Sequence, residues 1–263
     1  MIEKFFGGTK KKTSKAAPAE EQLVCRLTTE LLRPSDQSWR LFSIMSEFVN
    51  GFNLLRKLGP AITFWGSARL KPGDKYYDEA EELASRLAEK GLAIVTGGGG
   101  GIMEASNVGA FKVGGASIGL NIRLPEEQRL NPYTTESQTF DHFFARKVML
   151  AYASEAYVYF PGGFGTLDEL FEIVTLIQTK KITAVPVALY GKEFWGPLLS
   201  WMEKELINKY HTISPEDLDI FNVVDSVDEA EKFILGKLSS SCNFRPTKRK
   251  LRRSIPKIED VST

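Results

Sequence analysis

The chain has 263 residues, 43% of them hydrophobic and 25% charged, and a formal net charge of +1. That composition excludes a collagen-like or wholly disordered chain, the length supports one core without disulfide or metal staples, and no run reaches the roughly 18 apolar residues of a membrane helix. The small net charge conceals a basic arm (+4 over residues 1–17), a basic tail (+5 over 245–263) and a body of −8, which argues against broad nucleic-acid binding.

Residues 1–18 read as a flexible basic arm without the apolar stretch of a secretory signal. Glu20–Leu32 has helical character up to Pro34. Ser35 and Asp36 then offer a cap for a second helix, in which Trp39, Phe42, Met45, Val49 and Phe52 recur at helical spacing. These helices, within residues 19–57, are expected to pack on a single domain over 58–240, followed by a tail over 241–263. Cys25 and Cys242 make no disulfide framework, the two histidines leave no zinc spacing, and a reduced cytoplasmic setting is expected.

Within the body, short apolar runs alternate with helical stretches. Strands are expected at 61–65, 92–95, 116–120, 138–140, 156–160, 184–189 and 220–223. Helices are expected at 74–90, 102–111, 142–153, 166–178, 194–209 and 226–235. The alternation is the βαβ signature, and six or seven strands fall short of the eight a barrel needs. The expected fold is α/β: a Rossmann-like, doubly wound, mostly parallel sheet with helices on both faces. Tyr157 and Tyr159, inside a strand, read as packing residues.

In such a sheet ligands sit at the carboxyl ends of the strands, and three stretches fall there. Gly97–Gly101 is an uninterrupted run of five glycines leading into a helix. Their entropic cost calls for a reason, and close approach of a ligand to the backbone is one. Phe160-Pro161-Gly162-Gly163-Phe164-Gly165-Thr166 again leads a strand into a helix. Thr166 is read as that helix's cap, able with the first N–H groups to hold a phosphate. Glu169 is then either a ligand-binding carboxylate or the partner of Thr166 in a capping box. Arg146 and Lys147 sit near a helix start, where a cation loses the favourable dipole interaction. They form either a solvated basic pair or the counter-charge of a bound anion.

The run Pro161-Gly162-Gly163-Phe164-Gly165-Thr166-Leu167-Asp168-Glu169, with Arg146-Lys147 before it, resembles the LOG ("lonely guy") family. These are cytokinin riboside 5′-monophosphate phosphoribohydrolases, long labelled "lysine decarboxylase-like", and the similarity spans roughly residues 58–236. The resemblance implies Arg146 and Glu169 as the catalytic pair. It also implies Gly162, Gly163, Gly165 and Thr166 as phosphate cradle, and Gly98, Gly99, Gly100, Gly101, Met103 and Glu104 as the other phosphate and ribose side. Lys147 and Ser67 join the expected nucleotide-binding set, with Asp141 a second choice for the ribose. The sequence departs from the pattern at Phe144-Ala145, where many members carry His-Glu.

The implied reaction is hydrolysis of the N-glycosidic bond of a nucleoside 5′-monophosphate, cytokinin-type or AMP-like, to free base and ribose 5-phosphate. Glu169 is expected to be kept ionised by its helix N-terminus. No metal or cofactor is expected, and no arrangement for pyridoxal phosphate is discernible. The expected partners are the nucleotide itself and further copies of the chain in a homodimer or larger assembly, with neither membrane nor nucleic acid. The alternative is a non-catalytic nucleotide or molybdenum-cofactor carrier on the same fold.

Overall fold

The computed structural model describes residues 34–124 and 130–242. The basic arm, the helix expected over 20–32 and the basic tail from 243 onward lie outside the described residues. The chain runs α1 (Pro34–Leu55), β1 (Ala61–Trp65), α2 (Lys75–Glu89), β2 (Ala93–Thr96), α3 (Ile102–Lys112), β3 (Ser117–Ile122) and β4 (Glu136–Phe140). It continues α4 (Phe143–Tyr152), β5 (Ala156–Tyr159), α5 (Phe164–Gln178), β6 (Val187–Tyr190), α6 (Lys192–Trp201), β7 (Asn222–Val224) and α7 (Val227–Cys242). The chain divides within α1 into two compact units, one ending at Ser46 and the other starting at Glu47. In the first, the exposed rings of Trp39 and Phe42 meet edge to face, 6.4 Å apart. The second holds the sheet.

All six strand pairings are parallel, in the order β4-β3-β2-β1-β5-β6-β7. The expected doubly wound sheet is therefore present. Alternate residues of the central strands enter one of two cores. Ile62, Phe64, Ile94, Val158 and Tyr190 pack under α2, α3 and α7, against side chains such as Leu83, Ile102 and Ile234. Ala61, Trp65, Val95, Tyr157, Tyr159 and Leu189 pack under α4, α5 and α6, against Met149, Leu170 and Trp195. The central strands are buried along their whole length, as a sheet covered on both faces requires. Tyr157 and Tyr159 are packing residues, as their place in a strand implies. Trp195 pins α6 to the sheet through its indole N–H, which donates to the carbonyls of Tyr159 and Tyr190.

Several boundaries differ from the sequence reading for identifiable reasons. α1 is described from Pro34 and already includes Ser35 and Asp36, the residues expected to cap it. β6 begins at Val187 rather than 184, since Pro186 has no N–H to give a neighbouring strand. The last strand starts at Asn222, because Pro215–Ile220 winds into a short 3-10 turn closed by a Ser214/Asp217 capping box. The helix expected to reach Lys209 is α-helical only to Trp201 and π-helical over Met202–Lys209.

Candidate active site

The strand order reverses between β1 and β5. From β1 the chain moves outward through β2, β3 and β4, then returns to β5 on the other side of β1. The loops leaving β1 and β5 diverge there, and an open parallel sheet has its natural crevice at that point. Ser67 ties three loops together at this spot. Its N–H donates to the Pro161 carbonyl, its carbonyl accepts from the Ile102 N–H, and its hydroxyl accepts from the Arg69 N–H. The cavity that results holds about 600 Å³, a volume suited to a small ligand.

At Gly101 the five-glycine loop brings protein close to protein. Gly101 has φ +66°, and a Cβ there would run into the backbone of Ser67 and Ala68. The first N–H of α3, from Ile102, is taken by the Ser67 carbonyl rather than left for an anion. A buried polar network holds the rest of the loop. Thr96 Oγ accepts from the Gly98 N–H and donates to Asn107 Oδ1, while Asn131 donates from its N–H to the Gly98 carbonyl and from Nδ2 to the Gly99 carbonyl. Of this stretch, Gly97 and Met103 line the cavity. Gly98, Gly99, Gly100, Gly101 and Glu104 do not.

The second glycine turn opens directly on the cavity through Gly163, Phe164, Gly165 and Thr166. Helix α5 starts at Phe164 with Gly163 as its N-cap, and no side chain caps it. This corrects the sequence reading: Thr166 is the third helical residue, not the cap, and Glu169 lies too far along for a capping box. The Thr166 side chain instead covers Gly162, where a Cβ would overlap it. The uncapped first turn leaves backbone N–H donors of the kind that bind phosphate.

Arg146, from α4, and Glu169, from α5, face each other across the cavity wall. Arg146 Nη2 donates to Glu169 Oε1 at 3.0 Å, with side chains only 14% and 6% exposed. Tyr159, itself stacked on Trp65 at 5.8 Å, donates its hydroxyl to the Glu169 carbonyl and so anchors that turn of α5. Burial pushes the Glu169 carboxyl up to about 7, outweighing the opposing pull of Arg146 and Lys147 and adding to the repulsion of Glu172. The carboxylate is therefore not held ionised by its helix, as the sequence reading expects. Desolvation dominates, and the group changes charge near neutrality. Arg146 Nε and Trp65 Nε1, donors on two residues that line the cavity, are buried with no hydrogen-bond partner.

The structure thus brings together Ser67, Met103, Arg146, Gly163, Gly165, Thr166 and Glu169. Gly162 lies just behind the turn. Lys147 points elsewhere, bridging Asp168 at 2.8 Å and Glu172 at 3.2 Å, and Asp141 pairs with Arg123. Trp65 and Arg69 also line the cavity without a role expected from sequence, as do Gly97 and Phe164, which the sequence marks only as members of the glycine runs. The Gly66-Ser67-Ala68-Arg69 turn after β1 was the available signal, because β1 is central only once the strand order is known. Phe164 is 93% exposed at the head of α5.

Residues 103–234 match the family model described as "Possible lysine decarboxylase". A probable cytokinin riboside 5′-monophosphate phosphoribohydrolase of Oryza sativa subsp. japonica is 33% identical over 147 residues. Those residues are 54% of this chain and 58% of that protein, so the chain spans a little over half the length of that relative. A cytokinin riboside 5′-monophosphate phosphoribohydrolase of Arabidopsis thaliana is 31% identical over 160 residues, which are 60% of this chain and 74% of that protein. Among solved structures, the molybdenum cofactor binding protein from Rippkaea orientalis superposes with a TM-score of 0.51 at 23% identity. It covers 67% of this chain and 96% of that one, a likeness of fold.

Proposed function

We propose, from the premise that this chain belongs to the family described as "Possible lysine decarboxylase", that it hydrolyses the N-glycosidic bond of a nucleoside 5′-monophosphate to free base and ribose 5-phosphate. One observation carries the reading: a buried Arg146–Glu169 pair stands beside an uncapped helix N-terminus on the same cavity. A buried ion pair is weak evidence for stability, and titratable groups pushed toward neutrality in a cleft mark reacting sites. The names of the rice and Arabidopsis relatives, which specify a riboside 5′-monophosphate, support a phosphate in that cradle.

In this reading the phosphate rests on the first turn of α5, from Gly163 to Thr166, and its binding energy orients the sugar. The bond between ribose C1′ and the base nitrogen breaks as positive charge grows on the sugar. Ionised Glu169 stabilises that charge and accepts a proton from the water that attacks C1′. The departing base takes up a proton in turn. Arg146 holds the carboxylate in place and offers its unpartnered Nε to the bound anion.

A panel of nucleoside monophosphates incubated with the protein tests the proposal: base and ribose 5-phosphate should appear in equal amounts over many turnovers. Stoichiometric binding without release would instead identify a carrier. Thr166→Val should weaken monophosphate binding by about tenfold, the value of one lost charge-assisted hydrogen bond, and leave a free nucleoside nearly unaffected. Competition titrations with both ligands check this, and equal losses would remove the cradle from Thr166.

The decarboxylase wording would call for pyridoxal phosphate on an amine that gives up its proton easily. Lys147, the lysine of the motif stretches, does not fit. Burial lowers its pKa, but hydrogen bonds and charges from Asp168 and Glu172 outweigh burial and raise it.

The same reading includes a homodimer or larger homo-oligomer in a cytoplasmic setting. Val49, Phe52, Phe143, Phe144 and Tyr152 leave large apolar side chains exposed on α1 and α4, a patch of the kind that marks association. Light scattering should give at least twice the chain mass, and Phe52→Glu with Phe144→Glu should lower it to that of one chain.

A further inference from the structure

We propose that Glu47, on the helix that precedes the sheet, is a positioning residue for Arg146: its buried carboxylate caps α4 from outside and fixes the turn that presents the guanidinium to Glu169. The inference rests on the hydrolase reading of the cavity. It adds to it a residue that lies outside the stretch matched by the family model.

α4 has no side-chain cap of its own, for His142 at its N-cap position makes no such bond. Glu47 supplies the acceptors. The Asp141 N–H donates to Glu47 Oε1 at 2.9 Å, the His142 N–H to Oε2 at 3.4 Å, and His142 Nδ1 lies 3.1 Å from Oε1. An anion at a helix N-terminus is favoured by the aligned peptide dipoles. Glu47 is only 8% exposed, and a buried carboxylate is tolerated only when its oxygens are bonded. Here both are.

The neighbouring packing leaves Glu47 little freedom. One turn further along α1, a Cβ on Gly51 would overlap the Met149 side chain of α4, so the two helices approach closely. Leu54, another turn on, is buried in the same core as Met149. The Arg146 N–H bonds to the His142 carbonyl, so Arg146 stands one turn from the residue that Glu47 grips. On the far side, Lys147 ties α4 to α5 through Asp168 and Glu172. The direction of Arg146 is set from behind by Glu47 and from the front by Lys147. Glu47 does not line the cavity.

The test follows the Glu169 carboxyl by ¹³C NMR in the full, ligand-free chain, comparing native protein with Glu47→Ala, Glu47→Gln and Glu47→Asp. The groups that act on Glu169 are Arg146 and Lys147 from α4 and Glu172 on its own helix. If Glu47 orients Arg146, Glu47→Ala loosens the guanidinium and the Glu169 titration moves upward by about one pH unit. Glu47→Gln, which keeps an acceptor for the Asp141 N–H, should show a smaller rise. In turnover assays kcat should fall on the order of tenfold to a hundredfold, with KM for the monophosphate little changed. An unchanged Glu169 titration in folded Glu47→Ala overturns the proposal. Should that variant fail to fold, unchanged titrations in both Glu47→Gln and Glu47→Asp overturn it equally. If the native protein releases no base from any nucleotide, the hydrolase reading falls, while the carboxyl titration still decides the role of Glu47.

Discussion

Glu169→Gln is expected to lower kcat by about two to four orders of magnitude while a nucleoside monophosphate still binds. The amide keeps the shape and a hydrogen-bonding oxygen for Arg146, so the cavity is preserved. It cannot accept the proton of the attacking water, and it brings no negative charge to the forming cation. The native pH profile should carry the same signature. Burial holds the Glu169 carboxyl at about 7 despite Arg146 and Lys147, so kcat/KM should climb as pH rises through about 7. In the Gln variant that limb should vanish. Stability should move the other way. A carboxyl whose folded pKa lies above its unfolded value binds more protons when folded, so native stability falls as pH rises from about 4.5 to about 7. Relative to the Gln variant, the native protein should lose on the order of 2–3 kcal/mol between pH 5 and 8, read from urea unfolding at each pH. Native turnover from the Gln variant would make Glu169 a structural residue only.

Arg146→Ala is expected to cost about three orders of magnitude in turnover, with a different pH response. The change removes both the charge and the hydrogen bond with which Arg146 draws the Glu169 carboxyl down. Burial then acts against Lys147 alone, the carboxyl climbs above 7, and at neutral pH the base is largely protonated. Raising the pH to about 9 should recover part of the activity of Arg146→Ala and none of that of Glu169→Gln. Arg146→Lys should recover little, because an ammonium cannot present the planar fork that reaches Glu169 while leaving Nε for the anion. The two residues act as a unit, so the double variant should be no slower than about threefold below the worse single one. Additive losses would mean that Arg146 and Glu169 serve separate steps.

The sheet was legible because its strands are short, apolar and β-branched between helices of clear period, and because each glycine turn falls where a strand ends. The Arg146–Glu169 encounter was legible only through the family resemblance. Twenty-three positions separate the two residues, and only the packing of α4 against α5 joins them. The five glycines call for a close approach, and at Gly101 what approaches is the backbone of Ser67 and Ala68. Which loop lies opposite depends on the strand order, and that is not written locally. Thr166 reads as a cap because hydroxyls favour that position, yet Gly163, in extended conformation, takes the cap position three residues earlier. At Glu169 the helix dipole is visible in sequence, whereas the desolvation that pushes its carboxyl up is not. Glu47 reads as one polar position of an amphipathic helix until α1 is seen against α4.

The most direct test of the central claim is the position of the phosphate in a crystal structure of Glu169→Gln soaked with a nucleoside monophosphate. The phosphate is expected on the first turn of α5, within about 3.2 Å of backbone N–H groups between Phe164 and Thr166, with ribose C1′ between Arg146 and residue 169. A phosphate seated on the loop from Gly98 to Gly101, or a glycosidic bond turned away from that pair, would contradict it.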